Sequence, residues 1–357
     1  MSRPPRWEII DETNLGFYHC RSKCVRGEFL CGKDNKPGKD FSHRMDWIWE
    51  RLVKLAGLFA IDVTFVAVLG NHLHLLLRNR PDIVKQWTEE EIMRRAVLIF
   101  PYRFKAFGGY SGGPTTRQLR DLVADKEQVD EMRARLSSIS WLMRQLNQKI
   151  ATQANAQDEV TGHFWEGRFK ATPVLDTLGL LVCAMYVDLN VVRAGVADTP
   201  EDSFHTSAAA RIRGMKARQQ DDSTAVKCDG WLSRLSLLSD EQPGYPPAGQ
   251  LDGLRASDNG VLEMTSPDYL QLLDFAGRCV PGVITMRKVA VQVTCPACRR
   301  NRSGEPMRRY SLKRAGKSRT AERDLRGAVL RCNDRLFQDT CYGHTAQSSQ
   351  PRLVRRS

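Results

Sequence analysis

The stretch VTFVAVLGNHLHLLLRNR, residues 63–80, contains two apolar runs that meet at Gly70 and Asn71. Successive side chains of a β-strand point to opposite faces, so residues two apart share a face. One face of the second run is apolar and holds Leu73, Leu75 and Leu77. His72 and His74 fall together on the opposite face. The stretch therefore predicts a β-hairpin that carries two neighbouring imidazoles, which either face solvent or share a metal ion.

The sequence before the hairpin predicts a strand followed by a helix. Residues 15–32 have a strand-like composition, and a turn-rich segment follows them. The next segment, residues 42–61, has apolar side chains at helical spacing. These are Ile48, Leu52, Leu55 and Phe59.

The sequence after the hairpin predicts a polar helical insertion, a helix, a strand and a last helix. The insertion covers about residues 81–136, and the helix after it turns one apolar face inward. That face consists of Ile139, Leu142, Leu146 and Ile150. Residues 162–175 are interpreted as a strand. The last helix is expected to begin after the N-cap Asp176 and to end at Gly195.

The order of these elements is strand, helix, strand, strand, helix, strand and helix. This order predicts an α+β fold with a ferredoxin-like, RRM-like antiparallel sheet whose helices pack on one face. The predicted domain covers residues 14–197. Residues 198–277 are interpreted as a linker with a short helical segment, and residues 278–357 as a basic, disordered tail.

The positive charge of the chain is concentrated at its end. The net charge is +13 over 357 residues, with 54 Lys and Arg against 41 Asp and Glu. Residues 278–357 hold 19 of these basic and 5 of these acidic residues, so they carry +14 and the rest of the chain −1. Nucleic-acid binding by the predicted domain therefore has to be argued from individual residues and not from bulk charge.

The last predicted helix carries three polar groups on one face. Tyr186 and Asn190 are four residues apart, and Arg193 lies one turn further. A phenol, an amide and a guanidinium offer a nucleophile, a neutral oxygen ligand and a phosphate clamp. With His72 and His74 as ligands of a divalent ion, this combination favours phosphoryl transfer. The alternative is a boundary tyrosine with its hydroxyl in water.

Three motifs in order resemble a known family. GNHLHLLL, GHFWEGRF and MYVDLNVVRAG are similar to the REP-associated branch of the single-tyrosine HUH transposases. The HUH motif stands as His72-Leu73-His74, the family's tyrosine maps to Tyr186, and its amide maps to Asn190. The sequence departs from the family at Leu69-Gly70. It also departs at Val191, a position where proline is common in the family.

The resemblance implies a DNA transposase that cuts and rejoins a strand through a 5′-phosphotyrosine. It implies Mg²⁺ or Mn²⁺ as cofactor, held by His72 and His74 with Asn190, and single-stranded or hairpin DNA as partner. The expected DNA-binding residues are Arg21, Arg168 and Arg193. Tyr18, Phe164 and Trp165 either stack on bases or belong to the core.

Two other functions are compatible with the sequence. One is a non-catalytic nucleic-acid-binding relative, and the other is a metal-dependent phosphodiesterase that uses water instead of Tyr186. The chain is expected to act in the cytoplasm, without a membrane, as a monomer or homodimer. In the tail, Cys295 with Cys298 and Cys341 with His344 are spaced as zinc ligands could be, although incidental cysteines are the favoured interpretation.

Overall fold

The two apolar runs of residues 63–80 form a hairpin inside a four-stranded antiparallel sheet. The strands are β1 (Gly16–Lys23), β2 (Ile61–Val68), β3 (His72–Asn79) and β4 (Lys170–Val174). They lie in the order β2-β3-β1-β4, which is the ferredoxin-like order predicted from the sequence. The computed structural model describes residues 5–33, 40–107, 113–236 and 253–279.

The helices follow the predicted element order as well. In chain order they are α1 (His43–Leu58), α2 (Pro81–Val84), α3 (Glu89–Ile99), α4 (Thr116–Ala124), α5 (Lys126–Leu136), α6 (Ile139–Gln157), α7 (Thr177–Asp188), α8 (Asn190–Arg193), α9 (Ser207–Gln219), α10 (Ala225–Asp229) and α11 (Ser266–Cys279). Helices α2 to α5 form the predicted insertion between β3 and α6. The β4 strand is shorter than expected, because residues 162–169 form a loop.

The prediction that the helices pack on one face of the sheet holds for α1 and α6 but not for α7. Helices α1 and α6 cover the face of Leu73, Leu75 and Leu77, and the Asn147 side chain of α6 donates to the Ser22 hydroxyl across 2.8 Å. Helix α7 covers the opposite face, where its Tyr186 contacts the ring of His74. All eight residues of β2 are buried, as expected for a strand covered on both sides.

The turn of the hairpin is held by the loop that follows β1. The backbone N–H groups of Cys24 and Cys31 donate to the carbonyls of Asn71 and Gly70 across 2.9 Å and 2.8 Å. A Cβ atom at Gly32 would lie 2.5 Å from the Cα of Gly70, so only glycine permits this approach. The loop thus fixes the turn that precedes His72.

The helix predicted over residues 176–195 is present as α7 and α8, separated at Leu189. Asp176 caps it by accepting from the Gly179 N–H at 2.6 Å, and Gly195 ends it with φ +67°, as predicted. Burial along this helix does not simply follow side-chain hydrophobicity. Leu178 is 42% exposed, whereas Tyr186 is only 3% exposed.

Residues 198–236 and 253–277 pack on the domain, so the linker interpretation of this region is wrong. Helix α9 lies along β2, where the Ser207 hydroxyl accepts from the Val66 N–H at 3.0 Å and the Arg211 guanidinium donates to the Thr64 carbonyl at 2.8 Å. The Ser257 hydroxyl donates to the buried carboxylate of Asp62 at 2.8 Å. Both segments complete the cover of the sheet.

The predicted basic tail, with the zinc-like cysteine and histidine pairs, lies outside the described residues apart from its first two positions. The tip of the insertion, residues 108–112, is outside them too. Among the described helices, none combines the length and the hydropathy that crossing a membrane would need.

The end of α7 is anchored by the buried carboxylate of Asp188. One carboxylate oxygen accepts from the Ser207 hydroxyl at 2.5 Å and from the Ala208 N–H at 2.9 Å. The other accepts from the Tyr269 hydroxyl of α11 at 2.7 Å. Burial raises the pKa of Tyr269 well above its usual value, so the phenol keeps the proton that it donates. Asp188 therefore joins α7, α9 and α11.

We expect Tyr269→Phe to lower the free energy of unfolding by about 1.5–3 kcal/mol, because it removes one hydrogen bond to a buried carboxylate. Urea denaturation followed by circular dichroism measures this change. Tyr102→Phe is the control, since Tyr102 is 85% exposed and its change should stay within about 0.5 kcal/mol. Equal stability of both variants would show that the anchor contributes nothing.

Candidate active site

The two histidines of β3 lie on the sheet face that α7 covers. His72 pairs across the strands with Lys23, and His74 pairs with Arg21. Directly opposite residues of an antiparallel pair share a face, so these two cationic side chains lie beside the imidazoles. On the other side of His74 stands Ala67 of β2.

The proton on His72 is placed by its neighbour Asn71. The Asn71 amide nitrogen donates to the Gly27 carbonyl at 3.2 Å, so its amide oxygen faces the Nδ1 atom of His72 at 2.6 Å. Nδ1 must therefore carry the proton, and the Nε2 atom of neutral His72 has a bare lone pair. This Nε2 atom lies 3.2 Å from the Oδ1 atom of Asn190, which is an acceptor too. Two acceptors this close form a natural place for a cation.

His74 is paired with a third histidine, His19 of β1. The Nδ1 atom of His74 lies 2.9 Å from the Nε2 atom of His19, and both side chains are buried. Within the part of the chain that the structure describes, the buried Nε2 atom of His74 has no hydrogen-bond partner. A buried nitrogen in this state is unsatisfied until a proton acceptor or a cation meets it.

Tyr186 lies across the histidines. The centroid of its ring is 5.5 Å from that of His74 and 5.9 Å from that of His19, and it meets both rings nearly edge-on. The guanidinium carbon of Arg193 lies 5.7 Å from the centre of the Tyr186 ring. The structure thus brings together the predicted residues His72, His74, Tyr186, Asn190 and Arg193.

The three imidazoles are held neutral. Burial lowers the pKa of His72 to about 4, an effect that the Asn190 contact opposes and that Lys23 and Arg21 reinforce. Burial, with Arg21, lowers the pKa of His19 to about 3. Burial and the neighbouring imidazoles lower the pKa of His74 well below its usual value. Only neutral imidazole nitrogens bind metals, so all three are in the required state at neutral pH.

The donor set fits a divalent ion bound by few ligands. The bare nitrogen of His72, the unsatisfied nitrogen of His74 and the amide oxygen of Asn190 are all neutral. Among the described residues, no three His, Cys, Asp or Glu side chains form a metal-binding group. Two nitrogen donors suit a first-row transition ion such as Mn²⁺ better than Mg²⁺. Three such ligands would leave coordination positions open for a substrate.

The remaining predicted residues separate into two groups. Arg21 is half-buried on the histidine face, and Arg168 is exposed in the loop before β4. Tyr18, Phe164 and Trp165 are buried in the core that faces α1 and α6, which agrees with the core interpretation and not with base stacking.

Sequence reasoning missed His19, Asn71 and Lys23. His19 and Lys23 flank the predicted Arg21 at alternate positions of β1, so strand periodicity places all three on one face. Asn71 belongs to the turn, where its role depends on the Gly27 carbonyl, 44 residues away.

Comparison with known proteins gives limited similarity. No protein-family model matches the chain, and no curated protein matches it. A solved structure of a REP-associated tyrosine transposase bound to a REP hairpin is similar with a TM-score of 0.34 and 11% sequence identity. The similarity covers 59% of this chain and 86% of that one. A similarity of this size does not establish the family of this chain.

The neutral histidines predict a loss of stability in mild acid. Their pKa values are lower in the folded chain than near 6.5, the value expected in the unfolded chain. As the pH falls, the unfolded chain binds protons first, so stability present above about pH 6.5 is lost toward pH 4. Between pH 7 and pH 5 we expect each buried histidine to lower the free energy of unfolding by roughly 1–2 kcal/mol.

Urea denaturation at pH 7, 6 and 5 measures this dependence. His19→Gln removes one titrating group. The loss of unfolding free energy between pH 7 and pH 5 should therefore be smaller by the contribution of one histidine. His163→Gln, a change of an exposed histidine, is the control variant. The same slope in His19→Gln and in the wild type would contradict the prediction.

Proposed function

We propose that the chain is a metal-dependent DNA strand transferase, a transposase-type nuclease in which Tyr186 is the nucleophile. The observation that carries this proposal is the position of the Tyr186 ring across His74, with Asn190 beside His72. A phenol next to two neutral imidazoles and an amide oxygen provides a nucleophile beside a cation site. The motif resemblance supports the same assignment.

In the proposed reaction, the Tyr186 hydroxyl oxygen attacks the phosphorus atom of a DNA phosphodiester. The bond between phosphorus and the 3′-oxygen breaks, and the proton lost from the phenol is balanced by the one gained by the leaving 3′-hydroxyl. The product is a 5′-phosphotyrosine. Attack by a 3′-hydroxyl on this ester reverses the step, so rejoining conserves the phosphodiester energy.

The other residues of the proposed site would bind the metal ion and stabilise negative charge. His72, His74 and Asn190 would hold Mn²⁺ or Mg²⁺, which when bound supplies polarisation of a non-bridging phosphate oxygen. Arg193 lies beside the Tyr186 ring, where its charge favours both the phenolate and the phosphate. Arg21 and Lys23, opposite His74 and His72, add positive charge on the same face.

The DNA strand is proposed to approach over β1 and β4. Lys170 of β4 pairs with Arg21, and Thr172 pairs with His19, so both continue the histidine face toward the edge of the sheet. Lys23, Arg168, Lys170 and Thr172 are exposed, whereas β2 on the other side is fully buried. A phosphate entering between the sheet and α7 requires an unpaired strand or a hairpin end. Basic side chains beside such a path are typical of single-strand binding.

A covalent adduct distinguishes this function from its two alternatives. The wild-type chain is incubated with Mn²⁺ and a pool of DNA hairpins that have randomised single-stranded flanks and a 3′-end label. We expect a labelled protein band that resists denaturation, because the 5′-phosphate side of the cut stays on Tyr186. Tyr186→Phe should abolish the band, while Tyr102→Phe, at an exposed position, should retain it.

The other outcomes are equally informative. Cleavage without an adduct, unchanged in Tyr186→Phe, would indicate the phosphodiesterase that uses water. Binding without cleavage would indicate the non-catalytic nucleic-acid-binding protein. Either result would contradict the strand-transferase proposal.

Lys23 is expected to contact a phosphate of the bound strand. The logarithm of affinity falls with the logarithm of salt concentration by about 0.7 per neutralised phosphate of a single strand. We therefore expect Lys23→Gln to weaken binding and to reduce this slope by about 0.7. Lys54→Gln is the matched control, since Lys54 is exposed on α1 at the opposite face of the sheet. Fluorescence anisotropy of labelled single strands measures both slopes, and equal slopes would exclude the contact.

A further inference from the structure

We propose that His19 is a positioning residue that sets the tautomer of His74 and directs a bare nitrogen lone pair of His74 toward the cation site. This inference rests on the proposed function, because it assigns the site a cation. It gives a role to a buried histidine that the proposed reaction does not otherwise use.

The first step is the contact between the two rings. The Nδ1 atom of His74 and the Nε2 atom of His19 are 2.9 Å apart, and the ring planes differ by 11°. Both side chains are almost fully buried and both are neutral at pH 7. One proton therefore lies between these two nitrogens, and it belongs to one ring or the other.

The Nε2 atom on the far side of the His74 ring indicates which ring carries the proton. Its Nε2 atom is buried and lacks a partner among the described residues. If the proton of His74 were on Nε2, it would be a buried N–H group without an acceptor. If the proton is on Nδ1, it is donated to His19, and Nε2 presents a lone pair that a cation can satisfy. The second arrangement leaves His74 without an unsatisfied donor.

The surroundings of His74 are similar to those of His72. The Nδ1 atom of His72 faces the Asn71 oxygen at 2.6 Å, and this contact leaves its Nε2 atom bare. His19 supplies His74 with the corresponding acceptor. Histidines that bind metals commonly donate their other N–H group to such an acceptor, which fixes the ring and its tautomer. His19 must then carry its own proton on Nδ1.

Two measurements on the full chain test this assignment. Long-range ¹H–¹⁵N NMR at neutral pH should show protonated Nδ1 and bare Nε2 atoms on His19, His72 and His74. Mn²⁺ binding, followed as the loss of the free-ion electron paramagnetic resonance signal, should weaken about 10- to 100-fold in His19→Leu. His19→Gln, whose side-chain oxygen can accept the proton, should bind close to the wild type. His163→Gln is the control for an exposed histidine.

A proton on the Nε2 atom of His74 would overturn the proposal, and so would wild-type Mn²⁺ affinity in His19→Leu. The NMR measurement uses the wild-type chain and decides the tautomer even if His19→Leu does not fold. Failure of the proposed function has a different signature. In that case the tautomers and the Mn²⁺ affinity are as expected, and they persist in Tyr186→Phe, but the wild type forms no DNA adduct.

Discussion

The burial of three imidazoles in the layer between the sheet and α7 is the constraint on which the site depends. A charged imidazole loses its hydration there, so the rings stay neutral over the physiological range. A neutral imidazole carries one proton, on either of its two nitrogens. Asn71 faces the Nδ1 atom of His72, and His19 faces the Nδ1 atom of His74. In the proposed site, the Nε2 atoms of His72 and His74 would then mark where a cation is bound.

The position of the phenol above these rings depends on residues far along the chain. Helix α7 ends at the carboxylate of Asp188, which lies two residues after Tyr186 and is bound by α9 and α11. Asn190 follows two residues later and reaches His72. The segments after residue 198 are thus part of the framework of the site, although they contribute none of the residues proposed for the chemistry.

Much of the fold and the centre of the site could be predicted from the sequence. The hairpin and the element order follow from local periodicity, whereas the grouping of His72, His74, Tyr186 and Asn190 is what the motif resemblance implies. The covering of both sheet faces did not follow, because the middle of α7 is buried nearly all round and shows no single apolar stripe.

Residues 215–230 resemble a linker in sequence because they are polar, yet the side chains of Arg218 and Asp229 form two hydrogen bonds of 2.9 Å with each other. His19 contacts a residue 55 positions away, which no local pattern reports.

The glycine at position 70, where the sequence differs from the family that its motifs resemble, has a physical explanation in its contact with Gly32. Backbone meets backbone there without side chains between them, and the neighbouring N–H groups of Cys24 and Cys31 are bonded to the same turn. The loop and the turn are consequently one mechanical unit. A displacement of the loop would reach Asn71 directly and alter the proton that it holds on His72. The geometry of the proposed ligand His72 is therefore controlled by a segment that contributes no proposed ligand.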